Sequence, residues 1–128
     1  MTAWRWIHSR VVLAVHDRQI AEHGGLDGLR DLGAVESALA RPQNLAAYGE
    51  PDAAGLAASY LYGLAKNHGF ADGNKRTAWI TARLFLADNG LKLEFDAMEA
   101  IRMVEDVAGG SVSEQDLAQW FRERLKAR

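Results

Sequence analysis

The chain contains no cysteine, and this absence excludes several classes of function at once. Among its 128 residues there is no thiol that could form a disulfide, a thiolate metal site or a catalytic nucleophile. Such a composition fits a reducing, cytoplasmic setting. No apolar run approaches the length of a bilayer-spanning helix, and the first residues do not resemble a signal peptide. We therefore expect a cytoplasmic protein with no membrane partner.

An excess of charge of one sign is also lacking. Fifteen Lys and Arg residues stand against seventeen Asp and Glu residues, and the formal net charge is −2. The field of the whole molecule therefore does not attract nucleic acid or an anionic membrane, and we expect no direct nucleic-acid partner. Any anion-binding site must be local.

The length and the apolar spacing predict one all-α domain over residues 1–128, a compact helical bundle around a buried central helix. We expect helices at residues 9–23, 31–40, 53–67, 73–88, 96–108 and 113–126, with a short extended piece at 91–95 as the only β element. Pro42 is expected to end the second helix, which leaves residues 43–52 unassigned. The fourth helix is apolar nearly all round, so we predict that it is the central one.

The most informative segment is residues 68–76, which read His-Gly-Phe-Ala-Asp-Gly-Asn-Lys-Arg. If Asp72 caps the fourth helix, then Lys75 and Arg76 lie in its first turn, beside backbone N–H groups with partial positive charge. Helix starts normally favour acidic residues, so cations there indicate an anionic ligand such as a phosphate chain. The segment predicts an anion site with a histidine base beside it.

Each of these residues also has a simpler explanation. Helix capping alone would account for Asp72, a tight turn for Gly73 and Asn74, and a solvated helix edge for the two cations. A single histidine at a helix end is more often structural than catalytic. The combination of all these residue types at this spacing favours the chemical interpretation.

Other histidines give weaker signals. His16 precedes Asp17 on an otherwise apolar helix face, and we interpret it as a buried, hydrogen-bonded structural group rather than a catalyst. His8 and the pair Glu22-His23 have no further ligand at metal spacing, so we expect no zinc centre.

The motif His68-x-Phe70-x-Asp72-Gly73-Asn74-Lys75-Arg76 resembles the signature of the Fic/Doc superfamily. Further segments are similar to landmarks of its Doc (death-on-curing) toxin branch, in the same order along the chain. These segments are His16-Asp17, the run from Gly24 to Asp31, the run from Glu36 to Pro42, and Phe85-Leu86-x-x-Asn89-Gly90. Together they cover most of residues 7–95.

The resemblance implies a helical toxin that uses ATP and Mg²⁺ to modify a protein hydroxyl. The family's roles transfer by position to the motif residues of this chain. His68 would be the general base, Asp72 the magnesium ligand, Gly73 and Asn74 the anion cradle, Lys75 and Arg76 the phosphate clamps, and Phe70 a core anchor.

Two departures from the AMP-transferring branch of the superfamily bear on the reaction. Lys75 replaces that branch's second glycine, and Trp79 replaces its second arginine; both changes disfavour AMP transfer. In the Doc branch the same changes accompany a reversed nucleotide pose and transfer of the γ-phosphate to elongation factor Tu, which arrests translation. Gly73 stands where the founding Doc toxin has alanine, so AMP transfer remains the alternative.

The resemblance also implies a protein partner. The chain has no match to the Ser/Thr-x-x-x-Glu-Gly/Asn helix with which some Fic proteins inhibit themselves, so restraint would come from a separate antitoxin. Doc toxins are held by a small partner whose disordered segment folds as a helix into a groove. The first helix and residues 43–52 are the expected walls of that groove. A module that binds nucleotide or antitoxin without turnover is the alternative of another class.

Overall fold

The computed structural model describes residues 3–128 as six helices and two short strands. The prediction of an all-α fold with at most a short β element is confirmed. None of the described helices combines the length and the apolar character that crossing a bilayer requires. The elements are α1 (Ser9–His23), α2 (Leu32–Tyr48), α3 (Ala53–Asn67), α4 (Asn74–Asp88), β1 (Leu91–Leu93), α5 (Ala97–Ala108), α6 (Glu114–Arg122) and β2 (Leu125–Ala127).

The helix at the centre of the fold is α3, whereas we predicted α4. Eleven of the fifteen residues of α3 are buried, against six of the fifteen residues of α4. Alanine and glycine let the neighbouring helices approach α3 closely: a Cβ on Gly63 would lie 3.2 Å from the Cβ of Ala38 on α2. Helix α4 packs against α3 along one face only, since its other positions carry Lys75, Arg76 and Arg83.

Helix α2 does not end at Pro42 as predicted but continues through it to Tyr48. The proline removes one backbone hydrogen bond, a change that costs about 3 kcal/mol in an isolated helix. Here the buried residues Val35, Ala38, Leu39 and Pro42 form one apolar stripe at helical spacing, and the ring of Pro42 is part of that stripe. Packing therefore outweighs the local signal, and most of the unassigned segment 43–52 is helical.

The end of the chain also differs from the prediction. Helix α6 stops at Arg122 instead of continuing to residue 126, and β2 pairs with β1 in an antiparallel sheet. Leu91 lies opposite Ala127, and Leu93 lies opposite Leu125. The extended piece expected after α4 is thus confirmed for residues 91–93, and its backbone groups find their partners in the last residues of the chain.

One ion pair ties the start of α3 to α6. Asp52 caps α3 by accepting the Gly55 N–H at 2.9 Å, and its carboxylate also accepts hydrogen bonds from Arg122 at 2.6 and 3.0 Å. The hydrogen bond from Arg122, and to a lesser degree that from Gly55, lowers the pKa of Asp52 below its ordinary value of 3.8. Because the folded-state pKa is depressed, the contribution to stability is complete above the ordinary value and is lost as the pH falls through the lowered pKa.

We therefore expect Asp52→Asn to flatten the acid limb of the stability profile. The side chain of Asp52 is 51% exposed, so loss of the ion pair should lower the free energy of unfolding by only about 0.5 kcal/mol at neutral pH. The difference between variant and wild type should shrink as the pH falls through the lowered pKa of Asp52, because the folded state then becomes protonated as well. Urea unfolding across this pH range measures both effects. The control is Asp96→Asn, since Asp96 caps α5 but forms no ion pair in the described chain; equal slopes for the two variants would contradict the account.

Candidate active site

The segment 68–76 connects the end of α3 to the start of α4, and His68 sits at the bend. His68 is the C-cap of α3 with φ 49° and ψ 45°. It is the one non-glycine residue with positive φ in the part of the chain that the structure describes. A left-handed conformation is unfavourable for most side chains and is concentrated at functional sites. Here it turns the chain sharply, and His68 lines the wall of a large cleft.

Phe70 lies in the core beneath the segment. It is 3% exposed, and its ring stacks on that of His16 with centroids 3.8 Å apart. His16 is itself buried, and its Nε2 lies 2.7 Å from the carbonyl oxygen of Asp72. Because a carbonyl oxygen only accepts hydrogen bonds, Nε2 carries the proton and donates it. The prediction that His16 is buried and hydrogen-bonded is confirmed, and its hydrogen bond holds the backbone of the motif.

The side chain of Asn74 closes the segment into a compact loop. Its Oδ1 accepts the Phe70 N–H at 3.1 Å, and its Nδ2 donates to the Phe70 carbonyl at 3.0 Å. Both polar ends of this amide are therefore engaged within the loop. The side chain of Asn74 therefore supports the loop, and its backbone N–H is available to an anion cradle.

The N-cap of α4 is Gly73, not Asp72 as expected. Gly73 has φ 78° and ψ 14°, and no side chain caps the helix. The carboxylate of Asp72 instead accepts the N–H of Gly73 at 2.8 Å and that of Leu26 at 3.3 Å. These two hydrogen bonds, in that order, and the nearby charge of Arg76 lower the pKa of Asp72 below its ordinary value. Asp72 is thus an exposed, ionised carboxylate next to a helix start that no side chain caps.

The glycine-rich loop between α1 and α2 holds the motif from the other side. The backbone N–H groups of Arg30 and Asp31 both donate to the Gly69 carbonyl at 2.9 Å, and Ala71 donates to Gly28 at 3.1 Å. Leu29 and Phe70 form an isolated antiparallel bridge. Because these contacts are between backbone groups, no residue type in the sequence indicates them.

Lys75 and Arg76 lie in the first turn of α4, which contains no acidic residue, as predicted. Within residues 3–128 Arg76 takes part in no ion pair. Lys75 reaches across the cleft to Glu105 on α5, with its Nζ 3.0 Å from each carboxylate oxygen. The helix start therefore combines free backbone N–H groups with two cations, which is the chemistry of an anion site.

These residues face a cleft of about 1070 Å³, slightly above the roughly 300–1,000 Å³ typical of small-molecule sites. Part of the cleft wall is aromatic. Trp79 meets Phe95 edge to face at 5.1 Å, and the guanidinium of Arg83 lies over both rings at 5.6 and 5.0 Å. Sequence reasoning missed Arg83, Phe95 and Glu105, because nothing near the motif indicates which distant residues complete the cleft.

Comparison with known proteins agrees with this geometry. The model of the Fic/DOC family matches residues 6–86, which is more than half of the chain and includes the whole motif. The chain belongs to the Fic/Doc family. It is 38% identical over 119 residues to the protein kinase doc of Escherichia phage P1, a match that covers 92% of this chain and 94% of the relative. It is also 43% identical over 90 residues to the toxin Doc of Mycolicibacterium smegmatis, covering 66% of this chain and 68% of that toxin.

The match to the phage relative runs over nearly all of both chains, so the similarity extends beyond the Fic/Doc motif to most of the fold. The predicted family and its Doc branch are confirmed by these two relatives. The predicted site residues His68, Asp72, Gly73, Lys75 and Arg76 all line the same cleft. Asn74 also lines the cleft, and its side chain bonds to the backbone of Phe70. Phe70 is buried and is not part of the lining.

Proposed function

We propose that this chain is a Doc-type toxin, a protein kinase that transfers the γ-phosphate of ATP to a hydroxyl of elongation factor Tu and so arrests translation. The observation that carries the proposal is the start of α4: an uncapped, cationic helix end faces the same cleft as an exposed histidine and an ionised aspartate. Phosphoryl transfer depends mainly on positioning and charge neutralisation, and this arrangement supplies both. The similarity to a protein named as a kinase supports the same reaction.

In the proposed reaction His68 acts as the general base. Its imidazole takes the proton of the target hydroxyl as the hydroxyl oxygen forms a bond to the γ-phosphorus. The bond between this phosphorus and the β,γ-bridging oxygen breaks, and ADP leaves with the electron pair. The first-turn N–H groups of α4, with Lys75 and Arg76, neutralise the charge on the phosphates. Gly73 precedes these N–H groups with a φ of 78°, a left-handed conformation that glycine adopts without strain.

The residues present fit a magnesium ion at Asp72. Mg²⁺ prefers hard oxygen ligands and is usually held by one or two carboxylates together with substrate phosphates. Asp72 is ionised, exposed and fixed by two backbone N–H groups, so it can offer a carboxylate oxygen without rearrangement. The ion would supply charge neutralisation on the phosphates.

Two features favour γ-phosphate transfer over AMP transfer. The Lys75 side chain extends through the cleft, where the AMP-transferring branch has a bare glycine backbone. The Trp79 ring packs on Phe95 at the position of that branch's second arginine, so a phosphate contact is missing there. Gly73 keeps AMP transfer as the second candidate, since the Doc resemblance would place alanine at this position.

The proposed regulator is an antitoxin that docks on α1. A shallow, mostly apolar surface depression of about 490 Å³ lies along the exposed face of this helix, between Arg10 and Arg18. An amphipathic helix with acidic flanks would complement it. Co-expression of a cognate antitoxin should restore growth, and Val11→Asp, within this surface, should abolish that rescue.

The proposal is tested directly by incubating the purified protein with elongation factor Tu, ATP and Mg²⁺. Intact-mass measurement should detect one added phosphate on the factor, and chelation of the metal should prevent it. An unmodified factor under these conditions would contradict the choice of target. If a different protein in a cell extract is phosphorylated instead, the assignment as a kinase would stand and only the proposed substrate would be wrong.

The loop contact of Asp72 provides a test of its role as the metal ligand. A Cβ on Gly25 would lie 2.7 Å from the Asp72 Oδ2, so Gly25→Ala must displace that carboxylate. We expect transfer to fall at least about tenfold at low Mg²⁺, with partial recovery at high Mg²⁺, because misplaced ligands weaken metal binding. The matched control is Gly28→Ala: Gly28 has a similar φ, +129° against +116°, but open space around its Cβ. Equal losses in both variants would indicate loop strain and not a displaced metal ligand.

A further inference from the structure

We propose that Glu105 competes with the phosphates of the nucleotide for Lys75 and thereby sets the nucleotide affinity of the cleft. This inference rests on the proposed function, because it requires the cleft to bind a nucleotide triphosphate. It assigns a role to a residue outside the motif, on the opposite wall of the site.

The geometry places one cation between two possible partners. Lys75 begins in the first turn of α4, and its ammonium group lies 3.0 Å from both carboxylate oxygens of Glu105 in the last turn of α5. Both side chains line the cleft, and they are 47% and 58% exposed. The ammonium group is thus held at the α5 wall, although its backbone belongs to the helix start that attracts anions.

The charges of the two helix ends explain why Lys75 takes this position. The carboxyl end of α5 carries partial negative charge, and its last turn contains Glu105 and Asp106 but no basic residue. Without a bound anion, Lys75 is attracted to this end and repelled by the positive start of α4. A triphosphate reverses this balance, since it offers more negative charge than one carboxylate. Arg76 forms no ion pair in the described chain, so the competition acts on Lys75.

If the ion pair between Lys75 and Glu105 had only a structural role, a different result would be expected. If Glu105 only tied α5 to α4, its removal would change stability and leave nucleotide binding alone. Ion pairs as exposed as this one contribute little to stability. The two roles are therefore separated by measuring nucleotide affinity and thermal stability on the same variant.

The test is Glu105→Gln, which keeps the size of the side chain and removes its charge. We expect the Kd for a non-hydrolysable ATP analogue with Mg²⁺, measured by calorimetry, to fall about two- to fivefold, the range that an exposed ion pair of this kind represents. The melting temperature Tm should stay within about 2 °C of wild type. In a Lys75→Met background the same change should improve binding less than twofold, because the competition for Lys75 is gone.

The control is Glu99→Gln on the same helix. Glu99 also pairs with a cation, Arg124, but it does not line the cleft. This variant makes the same change in net charge and should leave the Kd unchanged. A Kd for Glu105→Gln that equals or exceeds the wild-type Kd would overturn the inference. The proposal that the cleft binds nucleotide would be unaffected by that result. Wild-type protein that binds no nucleotide would overturn the proposed function and this inference together.

Discussion

Replacing His68 by asparagine should lower the rate of phosphate transfer by about 10²- to 10⁴-fold, the contribution expected of a general base. Asparagine tolerates the left-handed backbone conformation of residue 68, with its φ of 49°. The change therefore removes the base without straining the turn between α3 and α4. The phosphate groups of ATP would still meet Lys75 and Arg76, so the Kd for nucleotide should change less than threefold. Transfer is measured in single-turnover reactions and affinity by calorimetry.

His23→Asn is the matched control, because His23 also lies at a helix end but is not part of the cleft lining. This variant should transfer phosphate at the wild-type rate. A His68→Asn protein that retains more than a tenth of the wild-type rate would show that another group, or solvent, removes the proton. Equal loss of nucleotide affinity and transfer would instead indicate that the change had deformed the cleft.

Replacing Phe70 by alanine should lower the free energy of unfolding by about 3–5 kcal/mol. The ring is almost wholly buried and stacks on His16, whose hydrogen bond to the Asp72 carbonyl holds the motif. The cavity therefore removes core packing and loosens the loop at once. Because small domains are stable by only about 5–15 kcal/mol, a large part of the total would be lost. Urea unfolding followed by circular dichroism measures the change.

Phe70→Leu is the informative companion to this variant. Leucine fills most of the space, so we expect it to recover more than half of the lost stability while losing the aromatic stacking. Tyr48→Ala serves as the control, since Tyr48 is a 92% exposed aromatic residue at the end of α2, where the loss should stay within about 0.5 kcal/mol. A Phe70→Ala protein as stable as Tyr48→Ala would contradict the role of Phe70 as an anchor.

Local signals predicted most of the fold. Helices α1 and α3 have the predicted bounds, and α5 lies within a residue of its prediction, because apolar spacing and flanking Asp or Gly residues are properties of neighbouring residues. The errors lie where a distant contact decides the outcome. Pro42 remains helical because its ring packs in the core, and β2 forms because β1 offers it a partner. Neither contact can be predicted from the residues that are adjacent in sequence.

In the candidate site, too, the sequence predicted what is local and missed what depends on distant contacts. The motif is contiguous, so its base, carboxylate and cations were visible as a group, and the similarity of His68 and its neighbours to the Fic/Doc signature gave their proposed roles. The supports of the motif come from elsewhere. The loop around Gly28 reaches it through backbone hydrogen bonds, and Glu105 meets Lys75 from thirty residues further along. Asp72 was predicted as a helix cap because capping is its commonest use, but Leu26 and Gly73 hold it beside the cleft.

The central claim is that this cleft holds ATP so that its γ-phosphate, not its AMP portion, reaches the target hydroxyl. Two parallel reactions with elongation factor Tu and Mg²⁺ test it, one with ATP labelled at the γ-phosphate and the other with ATP labelled at the α-phosphate. We expect the γ label to appear on the factor and the α label to stay in solution as ADP. Transfer of the α label would contradict the account, because Lys75 and Trp79 would then permit the AMP-transferring pose that we expect them to exclude.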